Sequence, residues 1–359
     1  MKILITGNMG YVGPSVVKQL RYTFPRATLI GYDAGFFAGC LTNADILPEA
    51  RLDTQIFGDV RTLPITVLDN VDIVIHLAAI SNDPMGNRYE DVTMDINFKS
   101  SIRLAMMAKK AGVRSFVFAS SCSIYGDSEG GAKHENSRVK PLSTYASSKF
   151  LTEKQLEGLA DVSFTVTCLR FATACGMSDR LRLDLVLNDF VAGAIISGKI
   201  DILSDGSPWR PLIHVKDMAR AIEWAALRDK HMGGSFLAVN TGANEWNYQV
   251  RELAKMVAAE IPGTIVNINK NASPDKRSYQ VNFGLYKSLA PAYQPQYTLR
   301  KAISELREGL VSMNFNNPDF RNSSLIRLKM LDRLQCSKEL NKQLEWTFLK
   351  TKTIIEKVF

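Results

Sequence analysis

The sequence predicts an α/β protein: a doubly wound parallel sheet with a smaller α/β lobe interleaved with it. Three observations lead there. Through the first half of the chain, short β-branched and apolar runs alternate with amphipathic stretches of helical spacing. The first run, KILIT (Lys2–Thr6), passes directly into a glycine-rich turn, TGNMGYVG (Thr6–Gly13). Finally, 359 residues is long for one core, which favours two closely packed lobes.

The elements follow in order. KILIT reads as a short buried strand, and Gly13–Phe24 carries apolar residues at helical spacing. ATLIGYD (27–33) is a second strand, TQIFGDV (54–60) a third and VDIVIHLAA (71–79) a fourth. Asp91–Gly112 is one long amphipathic helix closed by Gly112. RSFVFASS (114–121) is a fifth strand, Ser143–Ala160 a helix, and FTVTCLRFA (164–172) another strand. Such alternation implies parallel strands with helices on both faces. No internal repeat or low-complexity segment interrupts it.

The glycine turn lies between the first strand and the first helix. There, free N–H groups at a helix start carry partial positive charge and suit a phosphate. Gly7 takes the tight turn, Gly10 lets a pyrophosphate approach the backbone, and Gly13 lets helix and strand pack closely. Asp33, about 20 residues on at the end of strand two, is placed for an adenosine ribose diol. The pattern is that of a Rossmann-type dinucleotide site. Because Asp33 would repel a 2′-phosphate, NAD is the expected cofactor rather than NADP.

Tyr145 and Lys149 lie four apart on a predicted helix and so share a face. A phenol titrates near ~10 and is a poor base at neutral pH. A neighbouring ammonium, together with an oxidised nicotinamide, is expected to lower that pKa. Ser120, Ser121, Cys122 and Ser123 end a predicted strand, where side chains face the ligand crevice of a parallel sheet. A hydroxyl there can share a reacting proton, although turn formation and capping account for some of these serines equally well.

Composition narrows the classes. Hydrophobic residues are 46% and charged residues 22%, ordinary for a globular chain. No run reaches the roughly 18 apolar residues of a membrane span. Met1–Thr6 leads into the turn without a secretory layout, so a cytoplasmic location is expected. The five cysteines are scattered at no ligand spacing, which argues for reduced thiols and no metal site. The net charge of +8 raises nucleic acid as a partner. The excess is spread along the chain without a basic–aromatic stripe, so an anionic small molecule is the better match.

As an ordered set, TGNMGYVG, Asp33, His76–Ala79, Asn97, SSCSIYG (120–126) and Tyr145-x-x-x-Lys149 resemble the extended short-chain dehydrogenases/reductases. Within them the chain is similar to the NAD-dependent epimerase/dehydratase group acting on nucleotide sugars, from residue 1 to about residue 305. The resemblance implies Ser121 as the catalytic serine, Tyr145 as the base, and Lys149 as its partner, which also holds the nicotinamide ribose. It implies that Gly7, Asn8, Met9, Gly10, Tyr11, Val12 and Gly13 cradle NAD. Asp33 would hold the ribose, Asp59 and Val60 would lie by the adenine, and Leu77, Ala78 and Ala79 would line the path. Asp59 equally suits a strand-end cap. Asn97 would help to order the site. For the nucleotide-sugar substrate, the resemblance implies Ser121, Ser123, Asn188, Arg210 and Arg277. The two arginines would clasp the diphosphate, since a guanidinium fork matches phosphate oxygens. His214 reads as structural. A homodimer through the helices holding Asn97 and Tyr145 is also implied.

The expected organisation is therefore residues 1–174 as the NAD-binding part, with a return strand at about 235–242. Residues 175–305 form most of the substrate lobe, with helical periodicity from Cys175 to Ile202. Residues 306–359 form a helical, basic extension packed on the body. Dehydratases of the group carry Asp-Glu where this chain has Cys122 and Ser123, which disfavours dehydration. Asp33 disfavours a stand-alone ketoreductase. Oxidation at sugar carbon 4 remains, followed by hydride return (a 4-epimerase) or net dehydrogenation. Thr173 stands where UDP-galactose-type epimerases have Asn in Arg-Tyr-Phe-Asn-Pro, so UDP is not assumed. The rival from another class is a non-catalytic NAD-binding sensor, against which stands the presence of both Tyr145 and Lys149.

Overall fold

The computed structural model describes residues 1–42, 44–126, 130–269, 272 and 278–347. Twelve strands occur in chain order among them: β1 (Lys2–Thr6), β2 (Thr28–Asp33), β3 (Thr54–Phe57), β4 (Ile73–His76), β5 (Ser115–Ser121), β6 (Thr165–Phe171), β7 (Thr173–Cys175), β8 (Lys199–Ile202), β9 (Trp209–His214), β10 (Phe236–Thr241), β11 (Asn247–Gln249) and β12 (Ile265–Ile268).

Seven of these form one sheet in the order β10-β6-β5-β4-β1-β2-β3, with every pairing parallel. Its strands are short and apolar because both faces are covered. On one face, Val16, Val17 and Leu20 of helix Gly13–Thr23 pack with Ala221, Ile222 and Ala225 of helix Val215–Leu227. On the other, Leu104, Ala105 and Ala108 of helix Ser100–Lys110 pack on Leu4, Val74 and Phe116. The order turns back between β1 and β4. That switch point opens a crevice at the carboxyl ends of the strands, where ligands of open α/β sheets bind.

The second lobe holds β7, β9 and β11 in one small sheet and the parallel pair β8 and β12. Helices Val186–Ser197, Val250–Glu260 and Leu299–Ser312 surround them with their own core, including Leu187, Val191, Leu253, Val257, Ile303 and Leu306. The chain crosses between lobes repeatedly. β7 follows β6 after a single residue, helix Val215–Leu227 packs on the first sheet, and β10 lies beside β6.

Four local expectations are corrected. The predicted helix 91–112 is interrupted by a π-turn at Met94–Lys99 before continuing as Ser100–Lys110. The helical periodicity from Cys175 yields a helix only at Val186–Ser197. Residues 176–185 are instead held by their charges: Arg180 pairs with Glu49 and Arg182 with Asp184. The boundary at 305/306 falls inside helix Leu299–Ser312, which is part of the second core. Among the described residues the segment beyond it is only partly helical. Helix Arg327–Cys336 is followed by a non-helical return, with Leu340 bridged to Trp346. Leu331, Leu334, Leu340 and Leu344 join the core beneath the first sheet. No helix among the described residues is long and apolar enough to cross a membrane.

Candidate active site

At the switch point the turn after β1 meets the segment after β4. Gly7 has φ +75°, and a Cβ on it would lie 2.4 Å from the backbone N of Ala78. Only glycine permits this approach. A Cβ on Gly13 would lie 1.9 Å from the carbonyl oxygen of Asn8, so here too the backbones touch. Gly10 differs: its nearest neighbour would be the Gly7 oxygen at 3.3 Å, and it faces the cleft. The room at Gly10 is therefore kept for something other than protein, as a pyrophosphate requires.

Asp33, at the end of β2, accepts hydrogen bonds from Met9 N (2.9 Å) and Gly35 N (2.7 Å). Burial raises its carboxyl above the usual range, and those two N–H groups oppose the rise. It thus locks the turn while lining the cleft. The cleft measures about 940 Å³, ample for a dinucleotide and a second ligand. Tyr11, Val12, Val60, Leu77, Ala78 and Ala79 also line it. Asp59 does too, while its carboxylate caps the turn at Val60–Thr62 and pairs with Arg61 at 2.5 Å. Both sequence readings of Asp59 are therefore compatible with its placement.

Ser143 caps helix Thr144–Glu157 by accepting from Ala146 N, and donates to Asp83. That cap sets Tyr145 and Lys149 on the face toward β5. Tyr145 lines the cleft together with Ser121, whose hydroxyl favours the phenolate. Ser121 also caps the turn Cys122–Tyr125 by accepting from Ser123 N at 3.1 Å. The Oγ of Ser123 is buried at the cleft wall without a partner among the described residues. Lys149 is 3% exposed; its Nζ donates to Ala119 O at 2.7 Å and lies 5.9 Å from the Tyr145 ring centroid.

The electrostatics show what the protein's own groups contribute to the acidity of the phenol. Burial pushes Tyr145 up to about 12, with the Ser121 hydroxyl opposing, and pushes Lys149 down to about 7. Burial thus opposes the charged form of both groups. An activated phenolate needs a further positive charge in the cleft.

Several expected residues sit off the cleft wall. Asn8 is buried and donates to Gln55, while Met9 reaches Asp33 only through its backbone. Asn97, in the π-turn, accepts from Ile80 N and donates to Ile80 O, fixing the chain beside Ala79. A π-turn is a frequent mark of a functional position. Asn188 is not a ligand contact here: it is fully buried and bonded to Gly176 N, Tyr11 Oη and Arg182 O. Its amide braces the loop that the helical expectation had misread. His214 is buried and stacked on Tyr297, clear of the cleft. Arg210, on β9, lines the cleft. Arg277 lies outside the described residues.

The sequence reading missed Arg182, Asp184 and Tyr279, which line the cleft, with Arg182 donating to Ser81 Oγ and paired to Asp184. The Arg-Leu-Asp triplet was visible, but its i, i+2 spacing within an assumed helix hid the pairing. Among the described residues no group of acidic, histidine and cysteine side chains is arranged to hold a metal.

A dinucleotide cradle at the switch point, with a Ser–Tyr–Lys cluster lining the same cleft, defines an enzyme of the extended short-chain dehydrogenase/reductase type. A model of the NAD dependent epimerase/dehydratase family matches residues 3–242, and the chain belongs to that family. It is an enzyme whose cofactor is NAD. A Bacillus subtilis (strain 168) protein described as an uncharacterized UDP-glucose epimerase, YtcB, is 31% identical over 255 residues, 68% of this chain and 78% of that one. A UDP-glucose 4-epimerase of Pasteurella multocida (strain Pm70) is 27% identical over 292 residues, 71% of this chain and 81% of its own. Among solved structures, MoeE5 in complex with UDP-glucose and NAD has a TM-score of 0.72 at 25% identity, covering 87% of this chain and 99% of that one.

The glycine geometry separates binding from folding. Gly10→Ala is expected to cost about 1 kcal/mol of folding stability, since its methyl meets only the Gly7 oxygen at 3.3 Å, yet to abolish measurable NAD binding. Gly13→Ala is expected to cost about 1–3 kcal/mol or more, because the clash is with backbone. Urea denaturation and NAD titration calorimetry on both variants check this. Equal NAD affinity for Gly10→Ala and the parent protein would refute the cradle.

Proposed function

We propose that this enzyme is a nucleotide-sugar 4-epimerase. The observation that carries the reading is that Ser121, Tyr145 and Lys149 line the same cleft as Gly10 and Asp33. Tyr145 takes the proton of the sugar C4 hydroxyl, and Ser121 holds the same oxygen and shares the proton as it moves. NAD, when bound, supplies the hydride acceptor and the positive charge that the phenolate lacks in the free protein. Lys149 keeps the phenol oriented and adds positive charge when protonated. Arg210, which lines the cleft, holds the substrate diphosphate, with Arg277 as a second arginine on sequence grounds alone.

Dehydration is disfavoured by the segment after Ser121. Cys122 is buried and turned away, its thiol 3.0 Å from Arg170 O, and Ser123 supplies a hydroxyl where an acid would be needed. Net dehydrogenation stays the alternative outcome of the same oxidation. Purified protein should be incubated with UDP-, GDP-, dTDP- and CDP-sugars, following bound NADH at 340 nm and product stereochemistry by NMR. Inversion at C4 without net NADH is expected. Stoichiometric NADH release would favour the dehydrogenase, and silence across the panel would end the proposal.

A further inference from the structure

The C-terminal segment lies beyond the residues matched by the family, 3–242, yet it reaches the cleft. Ile326, Arg327 and Leu328 form part of the wall, beside Phe36 and Phe37. The segment is anchored there. Trp346 Nε1 donates to Ala34 O at 2.6 Å, and the Trp346 ring lies 5.8 Å from Phe36. Ala34 directly follows Asp33, so this wall adjoins the dinucleotide cradle.

Arg327 is 1% exposed. Its guanidinium lies 4.7 Å from the Phe37 ring centroid, and Nη2 donates to Arg180 O at 2.8 Å. Nη1 is buried with no partner, and no carboxylate among the described residues lies within ion-pair distance of Arg327. Its neighbours differ: Arg180 is paired with Glu49 and Arg182 with Asp184. Burial pulls Arg327 down to about 10; Arg182 and Arg180 add to that, and Cys40 and Asp184 oppose it. A buried guanidinium without a counter-charge is costly, and a buried cation is normally completed by an anion. Of the carboxylates that line the cleft, Asp184 acts on Arg327 but is bonded to Arg182, so Nη1 is left for an anion supplied by a ligand.

We propose that Arg327 is a binding residue for a diphosphate group held in the cleft, supplied by the C-terminal segment. Two cleft ligands carry such a group: the dinucleotide, and the nucleotide sugar if the reading above holds. A guanidinium presents a planar pair of N–H donors that spans two phosphate oxygens. The stack on Phe37 and the bond to Arg180 O leave Nη1 as the free arm of that fork.

The test is titration calorimetry of NAD, and separately of UDP, into the parent protein, Arg327→Met and Arg327→Lys, with melting curves of the ligand-free proteins. Arg327→Met is expected to bind one of the two ligands about ten- to a hundredfold more weakly, the size of a lost charge-assisted hydrogen bond. Arg327→Lys should recover part of the loss. A weakened NAD assigns the contact to the dinucleotide, and a weakened UDP assigns it to the substrate. Failure of the parent protein to bind UDP counts against the nucleotide reading, and the NAD arm then decides alone. A lower melting temperature with both affinities unchanged would mean a purely structural arginine and would overturn the proposal. Should Arg327→Met not fold, Arg327→Lys carries the test, since it keeps the stem and the charge but loses the fork. Unchanged affinity there overturns it as well.

Discussion

Tyr145→Phe is expected to lower the rate of sugar-dependent reduction of bound NAD by about 10²–10⁴-fold while leaving NAD affinity within about twofold, the scale of a lost general base. The phenol oxygen is the only part removed, and the ring stays in place beside Lys149. The parent enzyme's rate should rise with pH, because the reactive form is the phenolate. In the ligand-free protein burial holds Tyr145 near about 12 and Lys149 near about 7. With oxidised NAD bound, the rise should be centred below the free-protein value, since a positive charge in the cleft favours the phenolate. Because Lys149 is charged only below about 7, Lys149→Met should lower the rate most at the acid end of the profile. Stopped-flow absorbance at 340 nm across pH 6–10 (an experimental window of roughly this span) reads all three. A Tyr145→Phe variant with the parent's rate would remove the phenol from the chemistry, and a pH-independent parent profile would do the same.

Arg170→Met is expected to be the most destabilising single change in the first lobe, by about 3–5 kcal/mol. Arg170 on β6 donates to both oxygens of Glu153, at 2.7 Å from Nη2 to Oε2, and both residues are buried. Ser120 donates to the same carboxylate, and Arg170 Nη1 reaches Tyr125 Oη and Glu135 O. Removing the guanidinium strands a buried carboxylate one helical turn beyond Lys149. Glu153→Gln combined with Arg170→Met should recover part of the loss, because the uncompensated charge is then gone. Urea denaturation followed by circular dichroism measures both. A loss below about 1 kcal/mol in the single variant would show that water or another cation reaches Glu153.

This pair also bears on how the catalytic helix is held. Tyr145, Lys149 and Glu153 repeat every four residues and so share one face. The face is polar, yet it is buried against β5 and β6 because each member finds a partner there: Ser121, Ala119 O, and Arg170 with Ser120. A helix with such a face would be unstable alone. It is stable only against strand ends that present those acceptors and donors.

Much of the first lobe was legible in the chain. The apolar runs at β1, β2, β4, β5 and β6, the glycine spacing and the Asp33 position are local patterns, and local patterns report period and turn chemistry directly. The same holds for Tyr145 and Lys149, whose shared face follows from helical spacing alone. Residues 176–185 were misread because mixed charge at near-helical spacing looks like a solvated helix. Only the tertiary partners Glu49, Ser81 and Asn82 show that these charges are buried and bonded. Asn188 was misplaced for the same reason: nothing local distinguishes an amide that binds a ligand from one that braces a loop.

By itself the sequence determined the parallel sheet, the dinucleotide turn, the preference for NAD and the shared helix face of Tyr145 and Lys149, since each depends on residues close together in the chain. The tertiary structure alone decided three things: that burial opposes the charged forms of Tyr145 and Lys149, that Arg170 and Glu153 share one buried site, and that Arg327 reaches the cleft from nearly 300 residues beyond Asp33, the gap read from their numbers. Desolvation and counter-charge depend on what surrounds a group in space, and neighbours distant in the chain leave no periodic trace in it.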